Sequence, residues 1–178
     1  MQYVLGFAGS NSSTSINYKL VRYTTSLIKD YELRLMDMSN CPFPMYSEDY
    51  EKEKGFSNSL IEFKNDIQNS AGIVISVNEH NSNPSAYFKN LIDWLSRLDK
   101  NCFKNKKVLL MATSGGKRGA QSSLEVSKNI LERFGANITF SFSLPGFHDN
   151  FDMDKGILDQ ELKLRHKAAL SSFLDSIA

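Results

Sequence analysis

The chain is short of nearly every feature that would tie it to a specialised class. Its 178 residues hold two cysteines, Cys41 and Cys102, with no CxxC pair and no framework of spacings. That excludes a disulfide scaffold and points to a reducing cytoplasm. Charge of one sign is not in excess: 21 Lys and Arg face 20 Asp and Glu, a formal net charge of +1. There is thus no electrostatic ground to expect nucleic acid or an anionic membrane as partner. Long apolar runs are missing; stretches such as Ala71 to Ser76 and Val108 to Ala112 are far too short to span a bilayer. The first residues lead straight into an apolar segment, without a basic region or a small-residue cleavage site, so no secretory signal is expected. Histidine occurs three times, at His80, His148 and His166, and HxH, HExxH, GxSxG, GxGxxG and GK[ST] are all absent. A metal centre, a nucleophile elbow, the dinucleotide fingerprint and a Walker loop therefore lack their residues. No catalytic side chain is nominated; if the chain is an enzyme, a cofactor carries the chemistry.

What is present is an alternation of two periods. Tyr3 to Ala8, Leu33 to Met36, Gly72 to Val77, Val108 to Ala112 and Ile138 to Phe142 read as five strands. The first, third and fourth are nearly continuous in apolar residues, as central parallel strands are; the second and fifth are mixed and suit the edges. Between them the period is helical, with stripes at Ile16, Leu20, Tyr23, Leu27; Phe56, Leu60, Phe63, Ile67; Tyr87, Phe88, Leu91, Trp94, Leu95, Leu98; Leu124, Ser127, Leu131, Phe134; and Leu158, Leu162, Ala169, Leu170, Phe173, Ile177. Met45 to Gly55 reads as a charged, solvated connection. The expectation is a single α/β domain over residues 1–178: a three-layer, doubly wound, five-stranded parallel sheet of flavodoxin-like order 2-1-3-4-5. Ligands of such sheets sit beyond the carboxyl ends of the strands, so the loops after the first, third and fourth strands are the ones to read for chemistry.

The first loop, Gly9-Ser10-Asn11-Ser12-Ser13-Thr14-Ser15-Ile16-Asn17, is dense in hydroxyls and amides and opens a helix. It is either a polar helix cap or an anion cradle suited to phosphate. The second, Asn78-Glu79-His80-Asn81-Ser82-Asn83-Pro84-Ser85, precedes another helix with Ser85 or Asn83 as its N-cap. In it, His80 could be a base, a metal ligand, a stacking ring or a polar loop residue. The third, Thr113-Ser114-Gly115-Gly116-Lys117-Arg118-Gly119-Ala120, has three glycines in five residues, which lets backbone N–H groups approach a flat ligand. Its Lys117 and Arg118 could meet the phosphates of a nucleotide. His166, in the last helix, is structural or solvated.

These three loops, in this order, resemble the NADPH-dependent FMN reductase family of flavodoxin-like quinone, chromate and azo-dye reductases. The matching residues are Gly9-Ser10, Ser15 and Asn17; Glu79, Asn81, Lys89-Asn90 and Ile92-Asp93-Trp94; and Ser114, Gly115, Gly116 and Gly119. Phe43 to Asp49 is similar to the family's loop after the second strand, so the likeness runs from Val4 to about Phe134. The resemblance implies non-covalently bound FMN, with its phosphate on Ser10, Ser12, Ser15, Ile16 and Asn17. It places the ring between the other two loops, touched by Glu79, His80, Asn81, Ser82, Ser114, Gly115 and Gly116. It further implies hydride from NADPH or NADH passing through flavin N5 to a small acceptor such as a quinone, in a homodimer or homotetramer. The chain departs from the family pattern at five positions. Ser12 stands where the family has arginine, His80 where it has tyrosine, and Asn78 where it has proline; Pro84 comes one position early, and no proline follows Ser114. A flavodoxin-type electron carrier and a flavin-free binding module remain rival readings, although carriers are strongly acidic and this chain is not.

Overall fold

The computed structural model describes residues 2–178; Met1, the first residue of the expected domain, lies outside them. In chain order the elements are β1 (Tyr3–Ala8), α1 (Ile16–Ser26), β2 (Glu32–Met36), α2 (Glu48–Lys54), α3 (Asn58–Asn69), β3 (Gly72–Val77), β4 (Glu79–His80), β5 (Asn83–Pro84), α4 (Ala86–Leu98), β6 (Lys107–Thr113), α5 (Gln121–Arg133), β7 (Asn137–Leu144), α6 (Phe147–Asn150), β8 (Phe151–Asp152), β9 (Gly156–Ile157) and α7 (Gln160–Ile177). The main sheet runs β2-β1-β3-β6-β7 and is parallel throughout. This is the doubly wound, flavodoxin-like order 2-1-3-4-5 that the alternating periods predict.

Burial explains the order. Every residue of β3 is buried, and β2 is largely exposed. Alternate residues of each central strand enter two separate cores. Leu5, Phe7, Ile73, Ile75, Leu110 and Ala112 pack against α3, α4 and α5 on one face. Val4, Val74, Leu109 and Met111 pack against α1 and α7 on the other. Strands covered on both faces have to be apolar in both registers, which is why their runs are continuous.

Four expectations need correction. The connection from Met45 to Gly55 contains a helix, α2. Ser47 caps it through the Tyr50 N–H, Glu48, Asp49 and Glu51 fill its first turn, and Gly55 ends it at φ +67°. Capping and dipole complementarity make this helix although it buries no residue. In α1 the buried residues are Asn17, Leu20, Val21, Thr24 and Thr25, while Leu27 lies outside the helix and exposed. The two threonines hide their hydroxyls by donating to the carbonyls of Leu20 and Val21. The last helix starts at Gln160, capped by Asp159, so Leu158 is not part of it. Finally, the second loop is no plain loop: β4 and β5 pair as a hairpin whose tip residues, Asn81 and Ser82, sit at φ +52° and +62°.

Gly9 has a tighter reason to be glycine than a turn. A Cβ there would lie 2.7 Å from Cδ2 of Phe88, so the loop leaves β1 pressed against the first turn of α4.

Candidate functional site

The first, second and third loops leave β1, β3 and β6 at one edge of the sheet. Asn17 ties them together. Its Oδ1 accepts from the Ser76 hydroxyl at 2.7 Å and from the Thr113 N–H at 3.1 Å, and its Nδ2 donates to the Thr113 carbonyl at 3.1 Å. One buried amide thus joins the start of α1 to the ends of β3 and β6. Ser85, the N-cap of α4, donates to the Gly9 carbonyl at 2.8 Å and binds the second loop to the first.

The first loop stands as an open helix N-terminus. Ser15 caps α1 by accepting from the Tyr18 N–H at 3.2 Å. The N–H groups of Ile16 and Asn17 find no acceptor among the described residues. Orphan donors and the positive end of the helix dipole make an anion site. Around them Ser10 accepts from the Ser12 N–H, and the exposed Ser12 hydroxyl meets that of Thr14 at 3.2 Å.

The second loop is clamped to α5. Glu79 Oε2 accepts from the Ser123 N–H at 3.0 Å, and the Ser123 hydroxyl donates to the Asn78 carbonyl at 2.7 Å. Since the N-cap of α5, Ala120, has no side chain able to cap it, Glu79 provides the cap, and its carboxylate is engaged there. The third loop is held from the other side. Gly146 N–H donates to Gly116 and Phe147 N–H to Ser114, both at 3.0 Å. Gly119 at φ +60° admits no side chain, because a Cβ would fall 2.3 Å from the Ser143 hydroxyl.

Between the loops lies a cleft of about 290 Å³ lined by Ser10, Ser12, Thr14, Ser15, Ile16, Asn17, Asn78, Glu79, His80, Thr113, Ser114 and Gly115. Of the residues expected at the site, Ser10, Ser12, Ser15, Ile16, Asn17, Glu79, His80, Ser114 and Gly115 come together here. Asn81, Ser82 and Gly116 do not line it; the first two form the exposed hairpin tip, and Gly116 is exposed next to Ser114. Lys117 and Arg118 are also outside, Arg118 donating to the Ser122 hydroxyl at 2.5 Å. Thr14, Asn78 and Thr113 join the lining although none was among the residues expected to hold the cofactor, yet Asn78 and Thr113 stand where strands of such sheets emerge, the position at which ligands are met. His80 also walls a second cavity of about 330 Å³ with Phe43, Met45 and Tyr87.

The loop carrying Phe43 and Met45 is fixed from α4. Asn90 accepts from the Tyr46 N–H at 2.8 Å and donates to the Pro44 carbonyl at 3.0 Å, and the Trp94 indole donates to the same carbonyl at 2.8 Å. His166, by contrast, is remote from the cleft. It is buried between α1 and α7, meets the Thr24 hydroxyl at 2.8 Å, and burial pushes its pKa down to about 4.

The sequence model of NADPH-dependent FMN reductases matches residues 3–149. The chain belongs to this family. A NADPH:quinone oxidoreductase of Arabidopsis thaliana is 27% identical over 181 residues, covering 95% of this chain and 88% of that protein. A quinone reductase of Escherichia coli is 36% identical over 73 residues, 41% of this chain and 39% of its own. Among solved structures, the flavoenzyme NAD(P)H:(acceptor) oxidoreductase FerB of Paracoccus denitrificans superposes with a TM-score of 0.79 at 24% identity, covering 99% of this chain and 97% of that one. FMN is thus the group the cleft has to suit. The orphan N–H groups of Ile16 and Asn17 suit a phosphate, and the one carboxylate in the lining, Glu79, is already bound to Ser123 N–H.

Proposed function

We propose that this FMN reductase family member is an NAD(P)H-dependent oxidoreductase whose acceptor is a small quinone-like molecule. It would work as a homodimer or homotetramer of one-domain chains, 1–178, in the cytoplasm. The observation that carries the reading is the meeting of an open α1 N-terminus with two clamped loops in one cleft. When bound, FMN would supply the redox chemistry that links NADPH or NADH to the acceptor.

The chain's own work is binding and orientation. Ile16 and Asn17 N–H groups, helped by the hydroxyls of Ser10, Ser12 and Thr14, hold the phosphate. Backbone groups of Glu79, His80, Ser114 and Gly115 border the ring, and His80 is the side chain assigned to stack on it. Asn17 and Ser15 act on the phosphate only through the backbone they hold in place. Arg118 is left to the phosphates of the nicotinamide donor.

The test is direct. The purified chain is scanned for visible flavin absorbance, titrated with FMN, and mixed with NADPH or NADH and menadione. Flavin binding with nucleotide oxidation coupled to menadione reduction is expected. A chain that binds no FMN and oxidises neither nucleotide overturns the proposal. Light scattering during size-exclusion chromatography checks the assembly, and a monomer would remove that part alone.

A further inference from the structure

We infer that Asn78 is a flavin-reading residue, its side-chain carbonyl accepting a hydrogen bond from a donor of the bound cofactor. This assignment rests on the FMN reading above. Asn78 follows the last residue of β3 and lines the cleft beside Glu79 and His80. Its backbone is fixed, since its carbonyl accepts from the Ser123 hydroxyl at 2.7 Å. Its side chain is not satisfied. Nδ2 lies 3.3 Å from His80 Nε2, whereas Oδ1 is shielded from solvent with no hydrogen-bond partner among the described residues. An amide nitrogen can only donate, so in this arrangement His80 Nε2 accepts and its ring proton sits on Nδ1.

Buried polar atoms almost always find a partner, and an unpartnered one has a cost that calls for an explanation. Turning the amide over offers no relief. Oδ1 could then face His80, but Nδ2 would be the orphan in its place. Oδ1 is closed off by the protein as it stands, so a donor in the cleft that the side chain lines reaches it through a partial turn of the soft terminal amide torsion. With Nδ2 on His80, the group offered is an acceptor. FMN has two kinds of donor to give it: the imide N–H of the ring and the hydroxyls of the ribityl chain. At a position where the resemblance has proline, which brings no side-chain acceptor, this chain adds one.

The experiment compares the full-length wild type with Asn78→Leu, nearly the same shape without polar atoms. Affinity for FMN is read by quenching of flavin fluorescence, and apoprotein stability by urea unfolding. FMN affinity is expected to fall roughly tenfold, the worth of one hydrogen bond. The apoprotein should be as stable as the wild type or more so, because an unmet acceptor has gone. A merely structural asparagine would give the reverse, with lower apoprotein stability and unchanged affinity, and that result overturns the assignment. Repeating the titration with 3-methyl-FMN, whose imide N–H is blocked, identifies the donor. If the variant's deficit disappears, the partner is the ring imide; if it persists, the partner is a ribityl hydroxyl. Equal FMN affinities in both proteins overturn the role of Asn78 alone, whereas a wild type that binds no FMN removes the FMN reading and this assignment with it.

Discussion

Asn17 and Ser15 belong by position to the loop proposed to hold the phosphate, yet their side chains are spent inside the protein. Replacing Asn17 by alanine would strand the Ser76 hydroxyl and both backbone groups of Thr113 at a buried junction of three elements. A loss of about 3 kcal/mol in unfolding free energy is expected in urea titrations. The orphan N–H groups stay in the backbone, so the folded fraction of Asn17→Ala should keep most of its FMN affinity; a large loss of affinity at unchanged stability would refute this division of labour. Sequence shows that an asparagine stands here, but not which way its amide points, because that depends on strands far along the chain. His166 is a second residue whose meaning needs the fold. It completes the stripe Leu162, His166, Ala169, Leu170, Phe173 of α7 as an uncharged core group. Its folded pKa of about 4 lies below the ordinary 6.5, so the unfolded chain takes up the proton first. Its stabilising effect is therefore complete above pH 6.5 and lost as pH falls towards 4. The decline from this one group should reach about 2 kcal/mol by pH 5. His166→Phe should flatten the unfolding free energy over that range, and an unchanged pH profile would assign the acid sensitivity elsewhere.

At the scale of elements, the segment most characteristic in sequence, Lys89 to Trp94, turns out to do its work at a distance. Asn90 and Trp94 do not line the first cleft; they hold the Pro44 carbonyl and so set the wall that carries Phe43 and Met45, and Asn90 lines the second cavity beside them. Periodicity placed the helix, but a helix stripe does not disclose which side chains reach a neighbouring loop. The same limit explains α1, where two threonines that bond their own helix pass for surface residues, and α2, which caps alone create. The β4–β5 hairpin was hidden because two residues are too few for a period of two to show. Both its tip residues have positive φ, a turn that favours glycine, and the second is Ser82 at +62°. Ser82→Gly should stabilise the protein by roughly 0.5–1 kcal/mol in thermal unfolding. A destabilised variant would show that the serine side chain has a role that outweighs the backbone strain.

For the whole molecule, strand order and the edge of the sheet that carries the candidate cleft were legible, because burial of a parallel sheet on both faces writes itself into continuous apolar runs. Electrostatics were legible only as a total. A net charge of +1 leaves no field to steer an anion, and the cleft lining contains no lysine or arginine. On the proposed reading the phosphate would be held by neutral hydroxyls, backbone N–H groups and a helix dipole, interactions of short range that need no mobile cationic side chain. Raising salt from about 50 to about 500 mM compresses the screening length from over 10 Å to about 4 Å, which weakens paired surface charges far more than direct hydrogen bonds. FMN affinity should accordingly change by less than about threefold over this range. Ser12→Arg, which puts a guanidinium on the exposed rim of the cradle, should tighten binding by about tenfold at low salt through a charge-assisted contact, and the gain should shrink as salt rises. A steep salt dependence in the wild type would mean that a cation outside this lining, on this chain or on a partner copy, holds the phosphate, and Ser12→Arg would then add little.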